Sequence, residues 1–387
     1  MQPQVDLVYF NAGGGHRASA QALQAVIGEL GLPWRVRLVD LFQVLDPAQR
    51  FRRMTGLAPE DWYNRRLARG WTLGMAQELK LLQALIRMAH ATLVRRLQRH
   101  WAVTQPDLVV SLIPNFNRAM HAALTLARPG VPYVTVLTDL ADHPPHFWIE
   151  PDQPQHFVCG TPLAVRQALA AGHASERVHA TSGMILRPEF YRPPLADRAA
   201  ARERLGLDPQ RPTGLVLFGG HGSRAMLTIA ERLPQVQLIL LCGHNAALAR
   251  RLRAQSALAP RHVVGFSTEV PQLMDLADFF IGKPGPGSVS EAVQRGLPVI
   301  VADNAWTMPQ ERYNAQWVQA HGLGIVHRSH RSIAQAVDQL LADLPALRER
   351  VRVQRNRALY EVPQILARLL DGSVVEARDA TPQRLAA

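Results

Sequence analysis

The residues best suited to chemistry sit in a glycine-rich stretch, Gly282-Lys283-Pro284-Gly285-Pro286-Gly287-Ser288-Val289-Ser290-Glu291-Ala292. An apolar run, Asp278-Phe279-Phe280-Ile281, precedes it, and a second, Val299-Ile300-Val301, follows after Gly296-Leu297-Pro298. The pattern predicts strand, turn, a helix over Val289–Arg295, and strand. Such a turn leaves unpaired backbone N–H groups at a helix N-terminus, where an anion can bind. Glu291 then falls on the first helical turn, and its carboxylate could accept hydrogen bonds from two ribose hydroxyls. The competing reading is a tight turn whose glycines serve geometry alone.

Four further groups share this placement at the carboxyl ends of predicted strands. Gly13-Gly14-Gly15-His16 follows the apolar run Val5–Phe10 and precedes a helix over Arg17–Leu30. Its spacing is not G-x-G-x-x-G, which disfavours a nicotinamide dinucleotide, but it leaves His16 accessible to a ligand or, more simply, solvated. Gly219-Gly220-His221-Gly222-Ser223 follows the strand Gly214–Phe218. Thr138-Asp139 ends the strand Val131–Leu137 and leads into a loop with Asp142, His143, His146 and Trp148, read as a polar rim around a substrate. His143 and His146 are spaced poorly for a metal and have no matching pair elsewhere, so no metal site is expected. Gln310, Glu311 and Asn314 open a helix and could define a sugar's hydroxyl pattern; capping is the alternative for Gln310.

These groups need two βα arrays to hold them. The chain has 387 residues and is 47% hydrophobic, which suits a two-domain α/β protein. The domains are expected at 1–186 and 213–360, with a proline- and arginine-rich linker at 187–212 and a C-terminal helix and tail at 361–387. Cys159 and Cys242 lie far apart in apolar runs and read as buried thiols of a reducing compartment. Met1 runs directly into the first strand, and no apolar run approaches twenty residues, so a cytoplasmic protein without a secretory signal or membrane span is expected.

The formal net charge is +12, which favours an anionic partner. Arg50–Arg99 carries eleven basic residues against three acidic ones, interleaved with Trp62, Tyr63, Trp71, Leu73 and Met75. That mixture suits an anionic membrane surface. For Leu79–Leu97 a core-facing stripe is an equal reading. No nucleic-acid module is recognisable, so no nucleic acid is expected.

Taken together the motifs resemble the GT-B glycosyltransferases of family 28, most closely the monogalactosyldiacylglycerol synthase branch. The resemblance rests on Gly13–Ala20, on Thr138-Asp139-Leu140 with His143-Pro144 and Trp148, on Gly282–Gly287 with Glu291-Ala292 and Arg295–Pro298, and on Pro309-Gln310-Glu311 with Asn314. It departs from the plant members in a compressed loop, Ala141–Pro144, and in Pro309, where they carry glycine.

The resemblance implies two Rossmann-like domains facing a cleft. The second would bind a UDP-sugar, a substrate rather than a cofactor; the first would bind a lipid acceptor such as diacylglycerol, with the protein peripheral on the inner face of the membrane. Glu291 would hold the ribose and Phe266 would frame the uracil. Gly219–Ser223 and Gly285, Pro286, Gly287 and Ser288 would face the diphosphate, with Lys283 assisting. Gln310 and Glu311 would meet the hexose, supported by Asn314. His16 or Asp139 would take the acceptor proton. Other readings are a non-catalytic UDP-sugar or lipid binder, a transferase acting on another acceptor, and an epimerase.

Overall fold

The computed structural model describes residues 2–11, 14–46 and 75–379, with side chains through 372. The described chain forms two units. The first takes the residues up to 46, then Gln77–Arg187 and the chain from Arg357 onward; the second takes Pro188–Asn356. The first half of the basic segment, residues 50–74 with Trp62, Tyr63, Trp71 and Leu73, lies outside the described residues, as do Ala12 and Gly13.

The first unit is a parallel sheet of β1 (Gln4–Tyr9), β2 (Arg35–Asp40), β3 (Leu108–Ser111), β4 (Tyr133–Val136), β5 (His156–Cys159) and β6 (Val178–Ala180). Its order is β2-β1-β3-β4-β5-β6. β3 and β4 are buried throughout, as strands covered on both faces must be. Strand order reverses at β1, which pairs with β2 on one side and β3 on the other. In open α/β sheets, ligands bind outside the carboxyl ends at such a switch point.

The second unit repeats the plan with β7 (Thr213–Leu217), β8 (Gln237–Leu241), β9 (Arg261–Val264), β10 (Phe279–Gly282), β11 (Val299–Ala302) and β12 (Gly324–His327). The order β12-β11-β10-β7-β8-β9 puts its switch point between β7 and β10. Gly282 pairs with Leu217 there, and a Cβ on Gly282 would lie 2.5 Å from the Leu217 carbonyl oxygen. Only glycine lets the two strand ends approach this closely. Both expected thiols, Cys159 and Cys242, are buried and free.

Two expectations change. The 187–212 stretch, expected as the linker, groups from Pro188 onward with the second unit. The helix Arg198–Arg204 is clamped to the second sheet through Asp278: Arg202 Nη2 meets Asp278 Oδ2 at 2.5 Å, Arg198 Nη2 meets Oδ1 at 2.9 Å, and Arg348 also pairs with it. The Thr213 amide donates to Oδ2 at 2.7 Å. The C-terminal helix Ala358–Asp379 groups with the first unit and starts before residue 361. Glu361 accepts there from the Ser182 amide at 2.7 Å and hydroxyl at 2.9 Å.

Burial alone would raise the Asp278 carboxyl; Arg198, the Thr213 amide and Arg202 outweigh it and hold it below the usual carboxylate range. Its contribution to stability is therefore full at neutral pH and fades as pH falls through that lowered value. Asp278→Ala leaves Arg202, 4% exposed, without its carboxylate. It should cost roughly 3–5 kcal/mol in urea unfolding followed by tryptophan fluorescence. A loss below about 1 kcal/mol would show that the cluster is not structural.

Candidate active site

In the first unit the helix Gly15–Glu29 starts two residues earlier than expected, with Gly14 as a left-handed cap at φ 80°. His16 therefore belongs to the first helical turn rather than to a loop. Its Nδ1 lies 3.0 Å from Thr138 Oγ1, just beyond β4. The ring also bonds the backbone of Leu112, just beyond β3. Phe10 meets it edge-on at 4.8 Å between ring centres, and Trp148 lies at 5.9 Å. His16 is thus held by residues from the ends of three strands at the switch point.

Trp148, expected in a polar rim around a substrate, lies inside the loop. It is fully buried, and its indole Nε1 donates to Asp139 Oδ2 at 2.8 Å. Asp142 is also buried and accepts from the amides of Trp148 at 2.6 Å and His146 at 2.9 Å. These carboxylates organise the loop, which an aromatic side chain at its centre requires. Of the rim residues, His143 is half-buried and His146 is exposed.

In the second unit the two glycine-rich turns flank the β7–β10 switch point. A Cβ on Gly219 would come within 4.0 Å of Lys283 Cε. The Gly219 carbonyl accepts from the Gly222 amide at 3.1 Å, and the Gly220 carbonyl from the His244 amide at 2.8 Å. The His221 carbonyl accepts from Asn245 at 3.3 Å. The carbonyls are thereby occupied, whereas the amides of Gly220, His221 and Ser223 have no acceptor among the described residues. A turn in this state presents donors, as an anion requires.

The helix after β10 runs Pro286–Gln294, earlier than expected, with Gly285 as its cap and no side chain capping its amides. Pro286 suits the first helical position because its missing N–H would be unpaired anyway. Gly287 and Ser288 stand in the first turn, while Glu291 moves to the second turn and is half-buried. Ser288 Oγ reaches back to the Gly285 carbonyl at 3.3 Å.

Lys283 Nζ contacts Glu311 Oε1 at 2.6 Å. Their side chains are 35% and 5% exposed, so the pair joins the turn to the Pro309–Glu311 helical turn. Asn314, fully buried, donates through Nδ2 to the Pro284 carbonyl at 2.7 Å, and its Oδ1 has no partner. Gln310 is half-buried, its amide 3.6 Å from Met308 Sδ.

Phe266 is 60% exposed, but its ring stacks on His244 at 4.2 Å and 18°. His244 escapes sequence reasoning. Its signal is Gly243: at φ 57°, a Cβ there would lie 2.1 Å from the Gly220 carbonyl oxygen, so only glycine fits beside the turn. Among the described residues, no group of three or more His, Cys, Asp or Glu is placed to hold a metal ion.

Burial pushes the His16 imidazole down to about 4, against a weaker upward pull from the Leu112 backbone. It stays neutral from pH 7 down to that value and protonates only below it. An NMR titration of His16 should therefore show half-protonation near pH 4. A midpoint near the ordinary value of 6.5 would mean the ring is open to solvent.

Residues 215–369 match the model of the glycosyltransferase family 28 C-terminal domain. The spinach (Spinacia oleracea) chloroplastic monogalactosyldiacylglycerol synthase is 28% identical over 366 residues, spanning 87% of this chain and 66% of that protein, just under two thirds of its length. CalG4, the calicheamicin glycosyltransferase, superposes with a TM-score of 0.61 at 18% identity, covering 95% of this chain and 99% of that one. Anabaena HepE in complex with UDP-glucose does so at 0.53 and 15%, covering 95% and 99%. The two six-stranded units are the Rossmann-like pair of the GT-B fold, and the second carries most of the match to the glycosyltransferase family 28 C-terminal domain.

Proposed function

We propose that this chain transfers a hexose from a UDP-sugar to a hydroxyl of a membrane lipid of the diacylglycerol type, as a peripheral enzyme. One observation carries the lipid side. The helix Met75–Met88 exposes Leu81, Leu82, Leu85 and Met88 by 61%, 46%, 52% and 83%. These positions form a single helical stripe. Leu79 packs on the cluster that contains Trp148, and Gln83 Nε2 donates to Asn115 Oδ1 at 3.1 Å, in the loop after β3. The apolar stripe thus begins beside the elements that hold His16. The next helix, His90–Thr104, buries its own stripe of Val94, Leu97 and Trp101. The core-facing reading of Leu79–Leu97 therefore fits that helix but not the stripe before it. No helix among the described residues is long and apolar enough to cross a membrane.

The donor side rests on the unpaired amides at both turns of the second unit and on the family match; a GT-B neighbour of the same fold holds UDP-glucose. In the reaction, the acceptor oxygen forms a bond to the anomeric carbon as the bond to the UDP oxygen breaks. UDP leaves with the electron pair, and the amides of the two turns stabilise its growing charge. The acceptor hydroxyl takes the place of Thr138 at His16 Nδ1 and passes its proton to the neutral imidazole. Asp139, tied to the Trp148 indole, positions the loop. Glu291 accepts from the ribose, and Gln310 reaches the hexose. Donor binding draws Lys283 from Glu311 toward the diphosphate.

Purified protein with UDP-glucose, UDP-galactose or UDP-N-acetylglucosamine and diacylglycerol vesicles should release UDP with at least one donor. No release and no UDP binding would overturn the reading; binding without turnover would leave a sensor. His16→Ala should lower kcat by about 100-fold or more, with UDP affinity nearly unchanged. Glu291→Ala should weaken UDP roughly tenfold, the loss of charge-assisted hydrogen bonds. Equal effects of both on affinity would undo the division of roles.

Replacing Leu81, Leu85 and Met88 together by Ser should weaken sedimentation with anionic vesicles by about tenfold or more, given the apolar area withdrawn. Thermal stability should hardly move, because these side chains are exposed. Unchanged vesicle binding would remove this helix from the membrane contact.

A further inference from the structure

A cavity of about 380 Å3 opens in the second unit at the ends of β11 and β12, against the helix Ala225–Arg232. Thr228, Asn304, Trp306, Arg328, His330 and Arg331 line it. No residue of the Gly219–Ser223 turn, the Lys283–Glu291 stretch or the Gln310–Asn314 group does so. It shares no lining residue with the proposed donor groups.

Its charge is one-sided. Two arginines line it and no carboxylate does. The guanidinium groups of Arg328 and Arg331 are exposed and make no hydrogen bond or ion pair among the described residues. The wall that carries them is fixed. Asn304 Nδ2 donates to the Arg328 carbonyl at 3.2 Å, and the Arg331 amide donates to Ser329 Oγ at 3.2 Å. His330 packs between Phe218 at 5.7 Å and His327 at 5.2 Å. Burial and His327 push the His330 imidazole down to about 4, so at neutral pH it adds a polar wall but no charge. Trp306, 54% exposed, supplies an apolar plate on the same rim.

Free guanidiniums on a rigid wall match the oxygens of a phosphate group, which they can hold by charge-assisted hydrogen bonds. An indole beside them suits an apolar or aromatic portion of the same ligand. The volume falls in the range of small-molecule sites. We infer that this cavity is a second anion site, which takes a phosphate-bearing ligand between Arg328 and Arg331 with its apolar part against Trp306. The phosphate can come from a soluble ester or from a phospholipid headgroup.

The full-length protein is titrated with inorganic phosphate, with glycerol 3-phosphate, and with vesicles of phosphatidylglycerol or, as a neutral control, phosphatidylcholine. Tryptophan fluorescence is read, and Trp306→Phe identifies the part of the signal that reports on the cavity. A saturable Trp306 change is expected, and Arg328→Gln with Arg331→Gln should weaken it by about tenfold or more. UDP binding should be unchanged in that double variant. A response to soluble phosphates assigns a soluble ester; an arginine-dependent response to phosphatidylglycerol vesicles alone assigns a headgroup. The inference fails if no probe moves the Trp306 signal, if the double variant titrates like the parent, or if UDP binding falls in parallel. Both arginines are exposed and unpaired, so their replacement leaves the fold intact.

Discussion

The second unit depends on how closely β7 and β10 approach at their carboxyl ends. Gly282 lies against the Leu217 carbonyl with no room for a Cβ. The strands then diverge into different connections, as they must at a reversal of strand order. The two glycine turns consequently emerge side by side, and each carries donors that the sheet cannot satisfy. At the opposite end of β10, Asp278 holds the same strand through arginines from two helices. A buried carboxylate is tolerable only when paired in this way. One strand is thus anchored by charge at its start and exposes its amide-rich turn at its finish.

The first unit reaches a comparable arrangement by different means. Its switch point is filled by rings rather than by an ion pair: Phe10 and Trp148 each lie against His16. That enclosure keeps the imidazole neutral, and the Thr138 hydroxyl gives one nitrogen a defined partner. Trp148 serves both sides of the arrangement, since its indole also fixes Asp139. The loop from Asp139 to Ile149 thereby packs against His16 through Trp148.

Much of this was legible in the sequence. Glycine-rich turns after apolar runs mark the carboxyl ends of strands, because only there does the chain leave a fully buried element for an open connection. Helix starts were less legible. Pro286 and Gly15 begin their helices before the apolar periodicity does, and caps leave little trace in periodicity. The Lys283–Glu311 pair joins residues 28 positions apart, which no local pattern encodes. Exposure also hides from the pattern: the stripe over Leu81–Met88 and that over Val94–Trp101 both follow helical spacing, and only packing distinguishes them. The boundary near Arg187 was visible as proline and arginine, but Arg202 reveals its allegiance only once Asp278 is seen beside it.

The return of the chain to the first unit at Arg357 separates two meanings of a domain. The family match begins at residue 215 and ends at 369, whereas the second unit runs Pro188–Asn356. A segment cut at the limits of the family match would discard Arg198 and Arg202, leaving Arg348 as the one of the three arginines still facing Asp278. It would also carry away the start of a helix whose buried residues, such as Leu359 and Leu366, belong to the other unit's core. The span of the family match and the compact unit are therefore offset along this chain. Exchanging the second unit between relatives would have to follow the second set of limits.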